Sequence, residues 1–384
     1  MMQESANIPS LLRTLGSQTC RDFDLYCCIN HPDDASQEIK EDNLRSITLL
    51  EQQHTHLIKA VWHGKQRGVG WARKLLFDDI LRHSDDNELI VSLDADTSFS
   101  ATYLESILTT MNLHPQADAL CVPYYHPLNG DEATDRAMLR YELYMRHYML
   151  CLLLIGNPYA FTALGSAMAF PATSYRKVGG ITPLQGGEDF YLMQKFAKTG
   201  TLLRKGDGPL DTSCLVQPQG RISHRVPFGT GPAIAQGLEA METSYPFYNW
   251  QSYQKIQNTY NLFPILYNHD KETPMSSFLR RQLKTDDIWG PLRRNFKDPD
   301  HFVHACQERV DGLRILQFLR AEQKKLHLRE QQNNLTNTSP EGTFLQIFSI
   351  LGLERPDSLN FATSPLSELN QIRNLLYQKE MERR

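Results

Sequence analysis

Long apolar runs are missing from this 384-residue chain: the longest is MLCLLLIG at 149–156, far short of the roughly 20 residues that cross a bilayer. No signal-like segment stands before it. A cytoplasmic protein is therefore expected, with a peripheral contact at the inner face of a membrane left open. Charge of one sign is also missing. A formal net charge of -4 and the lack of any long basic block remove the general electrostatic attraction for nucleic acid, so no nucleic-acid partner is expected. The seven cysteines, Cys20, Cys27, Cys28, Cys121, Cys151, Cys214 and Cys306, show neither CxxC nor any other zinc-site spacing. They read as reduced thiols. There is no GxGxxG, no Walker A sequence and no internal repeat, which excludes the familiar glycine-loop nucleotide sites and repeat architectures.

What is present is an alternation of strand and helix patterns. FDLYCCIN (23–30), HLIKAVWH (56–63), the run into Leu93, and ADALCVPYY (117–125) read as strands, being short apolar or β-branched runs bounded by polar residues. Amphipathic segments between them read as helices. Strand-helix alternation of this kind predicts an α/β fold, a Rossmann-type, mainly parallel sheet flanked by helices. Beyond about residue 232 the strand signal fades, and segments such as VDGLRILQFLRAEQKKLHLREQQ predict an α-helical C-terminal part. The expected division is a catalytic domain over 1–233 and a helical region over 234–384. The polar NNLTNTSPEG (333–342) reads as a linker.

Four short motifs carry chemistry. In SLDADT, Asp94 and Asp96 lie at the carboxyl end of a strand, the edge where open α/β sheets bind ligands. Alternate residues of an extended segment share a side, so the two carboxylates suit one Mg²⁺ or Mn²⁺ whose other ligands come from water and substrate phosphate. The competing reading is a helix N-cap. Glu188 and Asp189 open a helix after the glycine-bracketed loop GGITPLQGG; they serve either as macrodipole caps or as a base that takes a proton from an acceptor hydroxyl. In HGKQRGVGWARK (63–74), Gly68 and Gly70 precede a helix and Lys65, Arg67 and Arg73 supply positive charge. That is a phosphate site or a tight strand-to-helix turn. In QPQGRISHRVPFGTG (217–231), Arg221, His224 and Arg225 stand before Gly229 and Gly231, which suits a loop closing over an anionic leaving group or a plain connector. His224 is a candidate metal ligand or a structural histidine. The aromatic YPFYNW (245–250) stacks on a sugar or packs the helical part against the sheet.

In their order and spacing these motifs, over roughly residues 1–233, resemble the bacterial family-2 glycosyltransferases of GT-A fold. KQRGVGWARK stands for the family's Gly-x-Ala-Arg-Asn loop, SLDADT for its DxD, and GSAMAFPATSYRKVGGITPLQGGEDFYL for its acceptor-side loop and Glu-Asp pair. The resemblance implies that Asp94 and Asp96 meet the diphosphate through a divalent metal, with Asp96 the closer ligand. It makes Asp189 the catalytic base, with Glu188 orienting the acceptor. Arg73 would meet the nucleotide, and Asp33 or Asp34 the base. Family members usually open with a strand and a Pro-x-Tyr-Asn-Glu-like turn, whereas MQESANIPSLL enters at Glu4, so the first strand is expected to be missing.

The sequence thus predicts an inverting, metal-assisted glycosyltransferase that acts on a nucleotide-diphosphate sugar donor and a carbohydrate or glycolipid acceptor, in cell-surface polysaccharide or glycoconjugate synthesis. Asp33, Arg73, Asp94, Arg221 and Arg225 are its expected donor-binding residues, and Asp94, Asp96 and His224 its metal ligands. A catalytically inert nucleotide-sugar-binding protein and a sugar-phosphate nucleotidyltransferase are the alternatives. The second lacks its glycine-rich N-terminal loop.

Overall fold

Residues 25–32 form the first strand, β1 (Leu25–Pro32), and pair in parallel with β2 (Thr55–Trp62), Leu25 opposite Thr55 and Pro32 opposite Trp62. The middle of β1 is buried on both faces, as its unbroken apolar run requires. Cys27 and Ile29 point to one face and meet Ile8 of helix α1 (Ile8–Gly16) and Leu50 of helix α2 (Gln37–Glu51) in a small apolar core. The structure is a computed structural model that describes residues 1–63, 67–204, 212–223, 226–227, 229–332 and 339–384.

A second sheet holds β3 (Leu89–Ser92), β5 (Ala117–Cys121), β6 (Met168–Pro171) and β7 (Thr201–Arg204), in the order β3-β6-β5-β7; between the first two in sequence lies the three-residue β4 (Thr97–Phe99). The α/β class stands, but the sheet is mixed where a mainly parallel one was expected. Strand β6 runs antiparallel to both β3 and β5, while β5–β7 and β1–β2 pair in parallel. The reason is local. A helix returns the chain between parallel neighbours, whereas the irregular segment that follows helix α5 (Glu132–Leu154) brings residues 168–171 back in the opposite sense. No ladder joins β1 to β3 among the described residues; Met1 lies instead on β1, its ammonium donating to the Cys28 carbonyl (2.5 Å) and its own carbonyl accepting from the Asn30 amide (3.0 Å).

Helices α3 (Val69–His83), α4 (Tyr103–Leu113), α6 (Ala172–Lys177) and α7 (Glu188–Thr199) accompany these strands. An aromatic cluster fixes three of them, α3, α6 and α7. Phe77 of α3 meets Phe170 of β6 edge-on at 5.4 Å and Tyr175 of α6 at the same distance, while Phe196 of α7 meets Phe170 at 5.2 Å. Each buried ring contributes about 1.5–3 kcal/mol. Because residues four apart share a helix face, anchoring Phe77 also aims Arg73.

The chain divides into two compact units, Met1–Glu142 with Phe161–Leu238 and Tyr377–Arg384, and Leu143–Ala160 with Glu239–Leu376. The second is helical, comprising the end of α5, most of α9 (Trp250–Leu266) to α16 (Leu366–Met381) and the last residues of α8 (Thr230–Ser244). Within it Phe247 packs on Phe344 (4.8 Å) and Phe361 (5.3 Å), so the centre of the YPFYNW run is core of this unit. All seven cysteines are free thiols. Among the described residues no helix is long and apolar enough to cross a membrane.

Candidate active site

Strand β3 ends at Ser92, and the chain turns at once: the Thr97 amide donates to the Asp94 carbonyl (3.2 Å) before β4 begins. Asp94 and Asp96 sit on this turn. Neither is an N-cap of α4, which starts at Tyr103 after Thr102. Each carboxylate has an arginine. Arg73 reaches Asp94 Oδ1 with Nη2 at 2.5 Å and donates through Nη1 to Glu188 Oε1, joining α3, the DxD turn and the start of α7. Arg221 donates through Nε to Asp96 Oδ2 at 2.8 Å and through Nη2 to the buried Glu4.

The Arg73 cluster is the more enclosed. The Arg73 and Glu188 side chains are 9% and 2% exposed, against 44% for Asp94. Burial opposes the arginine's charge, but the Asp94, Glu188 and Asp189 carboxylates around it more than offset that and raise its pKa. It is a permanent cation. Glu188 Oε2 is buried and has no hydrogen-bond partner among the described residues, a cost of about 1–3 kcal/mol that a hydroxyl donor would relieve. Asp189 accepts from the Phe190 amide (2.7 Å), and burial, followed by the neighbouring Glu188 charge, pushes its carboxyl up to about 7.

Close approach explains two glycines. A Cβ on Gly165 would lie 1.9 Å from Arg73 Nη2, and the Gly165 carbonyl is itself held by Ser92 Oγ at 2.6 Å. Arg73 passes where only a glycine leaves room. Gly70 corrects the sequence reading of its loop: its amide donates to the Leu184 carbonyl (3.1 Å), and a Cβ there would sit 2.4 Å from that oxygen. The glycine serves helix-to-loop packing, and its N–H is not available for phosphate.

Asp33 follows β1 and is exposed, paired with His63 Nδ1 at 3.0 Å; that hydrogen bond lowers its pKa. It shares no hydrogen bond with the two arginine clusters among the described residues. His224 and Arg225 lie outside the described residues, and so does Lys65. Sequence reasoning passed over Glu4 as a site residue and gave no sign that Arg221 contacts Asp96. The link is the pairing of β4 with β8 (Val216–Pro218), which is extended by a Gln219 amide bond to the Asp96 carbonyl (3.1 Å) and delivers Arg221 to the turn.

Among the described residues no three His, Cys, Asp or Glu side chains gather as a complete metal cage. The donor set nevertheless fits Mg²⁺ or Mn²⁺: hard carboxylate oxygens on one turn, partly exposed, suit a cation that draws its remaining ligands from water and phosphate.

Arg73 thus joins Asp94, on the turn after β3, to Glu188 at the start of α7, while Asp96 on the same turn is held by Arg221. Residues 89–229 match the model described as Glycosyl transferase family group 2. The match covers 141 of the 384 residues, and over that stretch the chain is similar to family-2 glycosyltransferases. No curated protein matches it.

Proposed function

We propose that the site transfers a sugar from a nucleoside-diphosphate donor to an acceptor hydroxyl with inversion, with Asp189 as the catalytic base. The observation that carries this is the Arg73 bridge between Asp94 and Glu188, which ties the donor-side turn to the helix that starts with the Glu-Asp pair. Asp189, with a carboxyl near pH 7, is poised to accept a proton as the acceptor oxygen attacks the anomeric carbon. Glu188 Oε2, buried and without a hydrogen-bond partner among the described residues, accepts a hydrogen bond from the acceptor and orients it. Arg73 keeps both carboxylates in place, and Arg221 supplies positive charge for the diphosphate. Asp94 and Asp96 would hold Mg²⁺ or Mn²⁺, which when bound neutralises charge on the leaving diphosphate.

A carbohydrate or glycolipid acceptor and a role in cell-surface glycoconjugate synthesis, at the cytoplasmic side of a membrane, fit this chemistry. The test is the anomeric configuration of the product, read by NMR from a donor of known configuration. Inversion is expected; retention would exclude single displacement with Asp189 as base.

A further inference from the structure

Arg221 occupies the position a cation would take on Asp96. Its guanidinium lies between that carboxylate and Glu4, whose side chain is 6% exposed and whose other oxygen accepts from Asn7 Nδ2 (2.6 Å). The guanidinium offsets part of the negative charge of the two carboxylates, and the Asn7 amide satisfies more of it on Glu4. A divalent ion arriving alone meets a positive group on its ligand. If Arg221 leaves Asp96 without a new anion, it keeps only Glu4. A nucleoside diphosphate changes the balance, because its oxygens accept the planar N–H fork as a carboxylate does.

We propose that Arg221 is an internal counter-ion on Asp96 that gives way only to a nucleotide, so that divalent cation and nucleoside diphosphate bind as a unit and the cation alone binds weakly. Arg221 is thereby a positioning residue with two states: on Asp96 in the free protein and on the diphosphate in the complex. Glu4 is its pivot in both. The inference rests on reading Asp96 as a metal ligand.

The distinguishing experiment is direct Mn²⁺ binding to the full chain, followed by electron paramagnetic resonance with and without UDP or GDP. Wild type should bind Mn²⁺ weakly alone and about tenfold or more tightly with nucleotide. Arg221→Gln should reverse the pattern, with Mn²⁺ alone bound about tenfold tighter than in wild type and nucleotide with Mn²⁺ bound about tenfold more weakly, on the scale of one lost charged hydrogen bond. Because that variant strands a buried carboxylate, the double variant Arg221→Gln with Glu4→Gln provides the same reading without it. Unchanged or weaker nucleotide-free Mn²⁺ binding in both variants would overturn the proposal, as would tight Mn²⁺ binding by nucleotide-free wild type. Asp96→Asn separates the two failures: if it binds Mn²⁺ and nucleotide as wild type does, Asp96 is not a ligand, and the metal reading falls together with the inference.

Discussion

Asp94 and Asp96 stand two residues apart on one turn, yet different parts of the chain hold them. Asp94 belongs to an enclosed cluster in which Arg73 is anchored by the α3 aromatic packing and shared with the buried Glu188. Asp96, itself 18% exposed, belongs to one in which the guanidinium is the more open group, Arg221 being 32% exposed and coming from a segment beyond a three-residue strand. The first arrangement is framework and the second is adjustable. A low-dielectric surround makes a shared guanidinium costly to remove, while solvent and a short ladder make one cheap to move.

The strongest way to break this contrast is to remove each arginine. Arg73→Met leaves Glu188 buried without its partner and should destabilise the protein by about 3–5 kcal/mol, with turnover lost. Arg221→Gln should cost less, roughly 1–3 kcal/mol, because Glu4 keeps its hydrogen bond from Asn7 and Asp96 is partly exposed. Urea unfolding of the two variants measures both. Equal losses would remove the distinction between framework and adjustable cluster.

The next effect concerns the proton. Asp189→Asn should lower kcat by about 10²- to 10⁴-fold while nucleotide affinity stays near wild type, and wild-type kcat/KM should rise with pH through about 7 as the carboxyl ionises. The stability dependence has the opposite sense. The folded pKa lies above the ordinary 3.8, so between about pH 4 and 7 the native state holds more protons than the unfolded chain and stability falls as pH rises. Asp189→Asn should flatten that slope and stabilise the protein at neutral pH. A pH-stability profile unchanged by the substitution would mean that Asp189 is not the group held protonated.

These two clusters were unequally legible in the sequence. Asp94, Asp96, Glu188 and Asp189 are close neighbours along the chain in short motifs, and local pattern sufficed to single them out. Arg73 is named as a charge of its loop and again by the family resemblance, but its double pairing depends on Gly165, ninety-two residues away in the numbering, and nothing in the glycine's own neighbourhood announces an arginine. Arg221 beside Asp96 was hidden for a different reason. Strands β4 and β8 have three residues each, too short for alternation to register, and their pairing spans more than a hundred residues. Glu4 matches only the glutamate of the family's opening turn, with nothing local to link it to Arg221. The mixed sheet was missed because strand patterns encode burial and period but not direction.

The smallest effects compare two glycines, one in each cluster. A Cβ on Gly165 would fall 1.9 Å from Arg73 Nη2, and that guanidinium cannot retreat without leaving Asp94 or Glu188. Gly165→Ala should therefore reduce kcat by about tenfold or more, with a stability loss of about 1–3 kcal/mol from overpacking. A Cβ on Gly220 would lie 3.0 Å from Met138 Cγ and Sδ. Met138 is also buried, but a thioether with three rotatable bonds can shift by tenths of an ångström at little cost. Gly220→Ala should thus change stability by less than about 1 kcal/mol and leave donor turnover within about twofold of wild type. Thermal unfolding and initial rates for the two alanine variants, measured side by side, decide it. If Gly220→Ala proved as damaging as Gly165→Ala, the Arg221 segment would be as rigidly seated as Arg73, and the adjustable character assigned to it would be lost.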